Sequence, residues 1–328
     1  MLRVDPAKGK LRVSSVRDLA SELSPGDLVV VNDAGTLPAS LRGRAQGGPI
    51  ELRVRRALPG GIFEIVLFGP GDHRTRTEHR PRPRLPVGAK IDFGGGRLVA
   101  AVVGTGPHVH EVRFDRAGAE LVLALHELGH PVQYAHVPSP LAIWDVQTAY
   151  AGRPWATEMP SAGRALSAEI LLSLLSRGVG IAALTHAAGL SSVGDPVGDA
   201  EAPPAERYEI PERTVRAIHE ARSRGGRVVA VGTTVARALE GSFAEHGALI
   251  AGEGETGWVL GPRSVLRLVD GLLTGLHEPG TSHYSLLSAF CDEALLARAW
   301  ALAGALGMRS HELGDVMLVL PDAKLIPS

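Results

Sequence analysis

Short, wholly apolar runs alternate with amphipathic segments over much of the chain. Leu28-Val29-Val30-Val31 follows the turn Pro25-Gly26-Asp27 and ends at Asn32-Asp33. Ser167 to Leu175 has helical periodicity, closes at Gly178 and leads into Ile181-Ala182-Ala183-Leu184. Glu212 to Ser223 repeats the arrangement, with Gly225-Gly226 and then a strand over 227–231 whose apolar run is Val228 to Val231. Ser264 to Val269 reads as a further strand, Ala294 to Leu306 as a late helix and Val316 to Leu320 as a last strand. Apolar β-branched runs of this kind are buried on both faces. Their alternation with helices predicts an α/β domain with a parallel-rich sheet.

Between these parts the period changes. Ile50 to Arg56, Ile62 to Phe68, Leu98 to Val103 and Val109 to Phe114 are short alternating segments, separated by turns such as Pro59-Gly60-Gly61 and Gly69-Pro70-Gly71. Many short strands at close spacing predict a small antiparallel β-barrel. The expected organisation is an α/β domain over 1–45 and 116–328, with the inserted β-barrel-like module at 46–115. Residues 191–205, rich in Gly, Pro, Ser and Asp, read as an exposed loop.

The passage with the most chemical content is Arg227 to Gly241. A buried strand runs into Gly232-Thr233-Thr234 and then into a helix carrying Val235, Arg237, Ala238 and Leu239. Ligands of open parallel sheets bind outside the carboxyl ends of the strands, where such elbows lie. The amides and hydroxyls of the elbow suit a polar or anionic group; a plain junction with a threonine cap accounts for the same pattern. Asp270, Thr274 and His277, in the segment Val269 to Pro279, read as sugar-binding or proton-transfer candidates. A turn stabilised by Asp270 is the structural alternative. The small residues Ser161 and Gly163 allow close backbone approach to a ligand.

Residues 126–136 match H-E-x-x-H with a third histidine at His136, the spacing of a zinc hydrolase. Gly129 is a favoured helix stop and Pro131 draws His130 out of the helical region, so the expected structure is a helix from Gly118 to Leu128 capped by Gly129. His126 and His130 then do not share a helical face.

Charge and composition narrow the classes. The apolar fraction is 45% and the charged fraction 21%, as in ordinary globular proteins. Residues 41–90 carry eleven Lys or Arg against four acids, a balance of +7 in a chain of net charge −1, so the remainder carries −8. Arg74, Arg76, Arg80, Arg82 and Arg84 lie in that stretch and are candidates for phosphate contacts with RNA; a solvated loop is the alternative. Aromatic residues make up only 4%, which argues against a stacking surface built from Phe and Tyr. A single cysteine, Cys291, excludes a disulfide framework or a cysteine metal cluster. With neither a membrane-length apolar run nor a signal-peptide core at the start, the expected compartment is the cytoplasm, with no membrane partner. A monomer is the expected state.

Eight segments, in order, carry a resemblance. They are P-G-D-L-V-V-V-N-D at 25–33 with L-P-A at 37–39, G-G-P-I-E-L at 47–52, Q-T-A-Y at 147–150, P-S-A-G at 160–163, R-V-V-A-V-G-T-T-V-A-R-A-L-E at 227–240, V-D-G-L-L-T at 269–274, L-S-A-F at 287–290 and G-D-V-M at 314–317. Together they resemble the S-adenosylmethionine:tRNA ribosyltransferase-isomerase family of queuosine biosynthesis, over nearly the whole chain. The resemblance implies an α/β domain holding an inserted β-barrel. It also implies S-adenosylmethionine as co-substrate and tRNA as partner. The ribosyl part would be transferred and isomerised onto a 7-deazaguanine base, with adenine and methionine released and no metal required.

On this reading Asn32, Asp33, Ser161, Gly163, Gly232, Thr233, Thr234, Arg237 and Thr274 line the cofactor site. His277 and Asp270 are the catalytic candidates; His277 is preferred because an imidazole titrates near neutrality. The elbow and the stretch from Asp270 to His277 are expected to enclose an adenosyl-sized cavity. Polar family positions are changed. Ala165 stands where the family has His, Gly275 where it has Asn, and Ala34-Gly35-Thr36 where it has an Arg-containing turn. Family L-H-V-G-x-G-T-F becomes Thr185 to Ser192. These losses leave two alternatives: a non-catalytic relative that binds a nucleoside or RNA, and, from the histidine motif, a zinc hydrolase at 126–136.

Overall fold

A computed structural model describes residues 1–190, 192–195, 204–311 and 313–322. The core of the expected loop at 191–205 lies outside the described residues.

The apolar runs pair into a nine-stranded sheet. In spatial order its strands are Gly252–Thr256, Glu206–Ile210, Gly180–His186, Leu28–Asn32, Val228–Val231, Gly271–Gly275, Val316–Val319, Leu2–Asp5 and Lys10–Val13. The four strands from Gly180–His186 to Gly271–Gly275 run parallel, which gives the sheet one shared carboxyl edge at its centre. All five residues of Leu28–Asn32 are buried because both faces are covered. Val30, Ala230 and Leu272 face the helices Glu212–Ser223, Thr233–His246 and Glu293–Ala305. Val29, Val229 and Leu273 face Ile170 and Leu174 of the helix Ala168–Ser176, together with Leu166. Each such aliphatic side chain contributes about 1.5–3 kcal/mol by leaving water.

The alternating segments form the expected barrel. Six antiparallel strands, Ser40–Ala45, Gly48–Leu58, Ile62–Phe68, His110–Phe114, Leu98–Thr105 and Lys90–Phe93, close through the pairing of Arg44 with Asp92. Ser40–Ala45 thus belongs to the barrel sheet, ahead of the expected boundary at 46. Leu41, Leu52, Ile65, Ile91, Phe93 and Leu98 fill the interior. The helix Gly118–Leu128 packs Leu121, Ala124 and Leu125 onto it.

One strand is misplaced by the pattern. Ser264 to Val269 forms none; the strand lies at Gly271–Gly275. The cause is Glu240, whose carboxylate accepts the amides of Arg267 (2.9 Å), Leu268 (2.9 Å) and Val269 (2.8 Å). Those donors are then closed to a sheet partner.

The barrel leans on the carboxyl edge of the sheet. The Arg55 carbonyl accepts from the Leu190 amide at 3.3 Å, and Phe68 packs against Leu190 and Val193. Inside this contact Glu51 holds two arginines, Arg53 at 2.6 Å and Arg80 at 2.6 Å. Burial raises the Glu51 pKa, but the two guanidinium groups outweigh it and hold the carboxyl down at about 2.

Candidate functional site

Gly232 forms the elbow. Its φ of +93° is a conformation that side-chain-bearing residues rarely adopt, and its amide donates to the Leu273 carbonyl at 2.8 Å. The expected threonine cap is replaced by this glycine: Gly232 is the N-cap, and Thr233 and Thr234 open the helix. Asn32, at the end of the neighbouring strand, ties three segments together. Its side-chain oxygen accepts from the amides of His186 (2.9 Å) and Ala34 (3.0 Å). Its nitrogen donates to the His186 carbonyl (3.0 Å) and to the Thr234 hydroxyl (3.4 Å). Asp33 accepts from the Thr185 hydroxyl at 2.6 Å.

The P-S-A-G and Q-T-A-Y segments meet at the same edge. A Cβ placed on Gly163 would sit 2.1 Å from the Tyr150 phenol oxygen, and Ala162 lies against Gly232. The phenol is buried without a hydrogen-bond partner among the described residues. Burial, and then the Asp33 charge, raise its pKa. Thr274 completes the edge: its hydroxyl lies 2.8 Å from Nε2 of His277, whose ring stacks on His283 with centroids 4.9 Å apart.

Asn32, Asp33, Ser161, Gly163, Gly232, Thr233, Thr234, Thr274 and His277 therefore converge on one edge. Two residues expected at this site do not, and one arginine expected to meet RNA is not available for it. Asp270 precedes the strand whose far end carries Thr274, so it lies at the amino edge; there it accepts the Val228 amide at 2.8 Å and faces Arg222. Arg237 is 7% exposed and turns its guanidinium to the edge strands, to Glu206 (2.5 Å) and the Trp258 carbonyl (3.1 Å). Arg80 is 4% exposed and spent on Glu51 and the Gly69 carbonyl, so it offers no charge to RNA. Arg74, Arg76, Arg82 and Arg84 remain at the surface.

The histidine motif does not assemble. The helix ends at Leu128 with Gly129 as its cap, Glu127 pairs with Arg97 at 2.6 Å, and His130 pairs with Ser40 in the barrel sheet. His136 instead stacks on His311 at 4.4 Å. Among the described residues no group of three or more His, Cys, Asp or Glu is placed to hold a metal ion.

Two groups escaped sequence reasoning. His186 ends its strand beside Asn32, fully buried, with neither ring nitrogen hydrogen-bonded among the described residues. Burial pulls its pKa down to about 4, against the attraction of Glu206, whose carboxylate is 3.8 Å away. Tyr134 donates a short hydrogen bond to Glu158. The histidine in Thr185-His186 at a strand end was the available signal for the first; Tyr134 has none. The cleft beside Thr36, Tyr134, Thr157 and Glu158 measures about 30 Å³, room for a water and too small for an adenosyl group. A groove of about 700 Å³ between Phe243, Trp258 and Arg267 lies toward the other end of the helix Thr233–His246.

A doubly covered sheet with polar turns gathered at one carboxyl edge, and a barrel abutting it, defines a scaffold of the kind that binds nucleotide-like ligands at a strand end. The profile of the family described as queuosine biosynthesis protein matches residues 1–319, and the chain belongs to that family. It is 34% identical over 323 residues to the S-adenosylmethionine:tRNA ribosyltransferase-isomerase of Thermus thermophilus, covering 95% of this chain and 90% of that protein. The enzyme of the same name from Gloeobacter violaceus is 35% identical over 315 residues, covering 93% and 85%. The crystal structure of the S-adenosylmethionine tRNA ribosyltransferase from Thermotoga maritima shares the fold, with a TM-score of 0.53 at 24% identity, over 97% of this chain and 91% of that one.

Proposed function

We propose that this chain is an S-adenosylmethionine:tRNA ribosyltransferase-isomerase. It would move the ribosyl part of S-adenosylmethionine onto a 7-deazaguanine base of tRNA and release adenine and methionine. The observation that carries the reading is the convergence of separate family segments, 28–33, 147–150, 160–163, 232–234 and 274–277, on one carboxyl edge.

The adenosyl group sits against the elbow, with Asn32, Asp33, Ser161, Gly163, Thr233, Thr234 and Thr274 around it. A sulfonium acidifies the adjacent carbon, so the reaction needs a base there, and departing adenine needs a proton. His277 is the group for proton transfer, because the Thr274 hydroxyl fixes its Nε2 while the ring sits half-buried at the open end of the strand. The tRNA approaches across the barrel, where Arg74, Arg76, Arg82 and Arg84 meet its phosphates.

Purified protein incubated with S-adenosylmethionine and tRNA carrying the precursor base is expected to release adenine. Ligand binding with no adenine would favour a non-catalytic relative. His277→Ala is expected to lower kcat at least about 100-fold with the fold intact; wild-type turnover in that variant removes the assigned role.

A further inference from the structure

We infer that Trp144, with Arg164 beside it, is a stacking platform for an unpaired base of the RNA substrate. The inference rests on the tRNA reading above and adds the residue pair that receives the splayed loop. Trp144 is 76% exposed, on the short turn Ile143–Val146 next to the carboxyl edge. Of the other three tryptophans, Arg207 covers the ring of Trp155 at 3.9 Å, Trp300 packs on the core, and Trp258, 45% exposed, lines the groove at the far end of the helix Thr233–His246.

The turn that presents Trp144 is braced from several sides. Gln147 exchanges two hydrogen bonds with the Thr36 backbone (2.9 and 2.8 Å), and the Thr36 hydroxyl donates to the Val146 carbonyl at 2.8 Å. Asp145 accepts the Ala142 amide at 2.8 Å. Gln133 holds the incoming strand of the loop through Leu141 at 2.9 Å. An indole held outward on so firmly tied a turn loses little freedom when a base stacks on it. Arg164 donates its Nε to the carbonyl of Asp145 at 2.8 Å, which places an exposed guanidinium one residue from the indole. A π-face with a neighbouring cation matches a nucleotide: the base on the ring, its phosphate on the guanidinium.

RNA supplies the need. A base inside a stacked loop hides its edge, so chemistry on its substituent requires the loop to open, and its neighbours need new stacking partners. One well-placed tryptophan meets that need in a chain otherwise poor in aromatic residues.

The test uses the full chain and an anticodon stem-loop RNA bearing the precursor base. Trp144→Ala is expected to raise Kd and KM for the RNA about tenfold, while kcat at saturating RNA and KM for S-adenosylmethionine stay within about twofold. Trp144→Phe is expected to recover most of the loss. Thermal unfolding should not change, since the side chain is exposed. Wild-type RNA affinity in a folded Trp144→Ala protein overturns the inference, as does a phenylalanine variant as weak as the alanine one. A change in oligomeric mass in place of RNA affinity overturns it too, and assigns the indole to a contact between copies. RNA binding without adenine release by the wild type would sink the transferase reading alone, because the contrast in RNA Kd still decides the platform.

Discussion

Gly163→Ala tests the meeting of two family segments. The new methyl would lie 2.1 Å from the Tyr150 phenol oxygen, 3.2 Å from its Cζ and 3.3 Å from Thr148 Cγ2. Ordinary contact begins at about 3.4 Å, so the phenol must move by more than an ångström. Its ring is mostly buried against the face of the sheet that holds Ala162 and Leu166. Overpacking of this kind costs about 1–3 kcal/mol. Tyr150→Phe removes the atom in conflict. On its own it should be neutral or stabilise by up to about 1 kcal/mol, because the hydroxyl is buried with no partner and deleting it abolishes an unsatisfied group.

The two changes should therefore couple. In the Tyr150→Phe background the nearest atoms are those at 3.2 and 3.3 Å, which small ring shifts accommodate. Urea unfolding of the wild type, both single variants and the double variant gives the interaction directly. The expected coupling is at least about 1 kcal/mol, with the double variant more stable than Gly163→Ala alone. Additivity within about 0.5 kcal/mol would show that the phenol does not face Gly163 and would separate the two segments.

Other sites give independent tests. Glu240→Ala strands three backbone amides at 267–269 and is expected to cost about 2–4 kcal/mol in urea unfolding; a loss below about 1 kcal/mol refutes the brace. Glu51→Gln leaves Arg53 and Arg80 facing each other without their shared anion and should cost about 3–5 kcal/mol, with little dependence on salt because all three groups are buried. His186 gives a pH signature. Its folded pKa, about 4, lies below the unfolded value of about 6.5, so the unfolded chain binds more protons between them and stability falls as pH drops through that window. The full effect is on the order of 3 kcal/mol, and His186→Phe should flatten the slope between about pH 6.5 and 4; an unchanged slope assigns the acid sensitivity elsewhere.

The parts legible in the sequence were those whose cause is local. Ile62–Phe68, Glu212–Ser223 and Val228–Val231 follow from periodicity and flanking glycines, and the structure bounds them where the pattern does. Ser264 to Val269 carries the same strand pattern, but Glu240, more than twenty residues earlier, takes its amides. That one error had a consequence for chemistry. A strand ending before Asp270 would have put its carboxylate at the carboxyl edge; the actual strand begins after it and leaves it at the other end. Arg80 failed for a related reason, since its partner Glu51 lies on another strand of the barrel and no local pattern announces the pair. His186 left only its place at a strand end as a signal, because complete burial, not its neighbours in sequence, makes it unusual.

Packing also separates the family positions this chain keeps from those it has changed. Asn32 makes four hydrogen bonds that join three segments, Gly163 gives room to Tyr150, and Gly232 holds a positive φ against the Leu273 carbonyl. Any change there damages the fold, so their retention speaks for the scaffold whatever the chain does. Gly275, where the resemblance leads to an expected Asn, is different: among the described residues a Cβ there would meet nothing closer than 3.9 Å, to His277 Cε1 and the His311 carbonyl. The scaffold therefore tolerates change at the open end of that strand. His277 stands at the same open end, half-buried and two residues further on. The Thr274 hydroxyl lies 2.8 Å from its Nε2, and its ring stacks on His283. Scaffold contacts account for Asn32, Gly163 and Gly232; for His277 the adenine-release assay on its alanine variant, read beside thermal unfolding of the same protein, separates an inherited fold from a working enzyme.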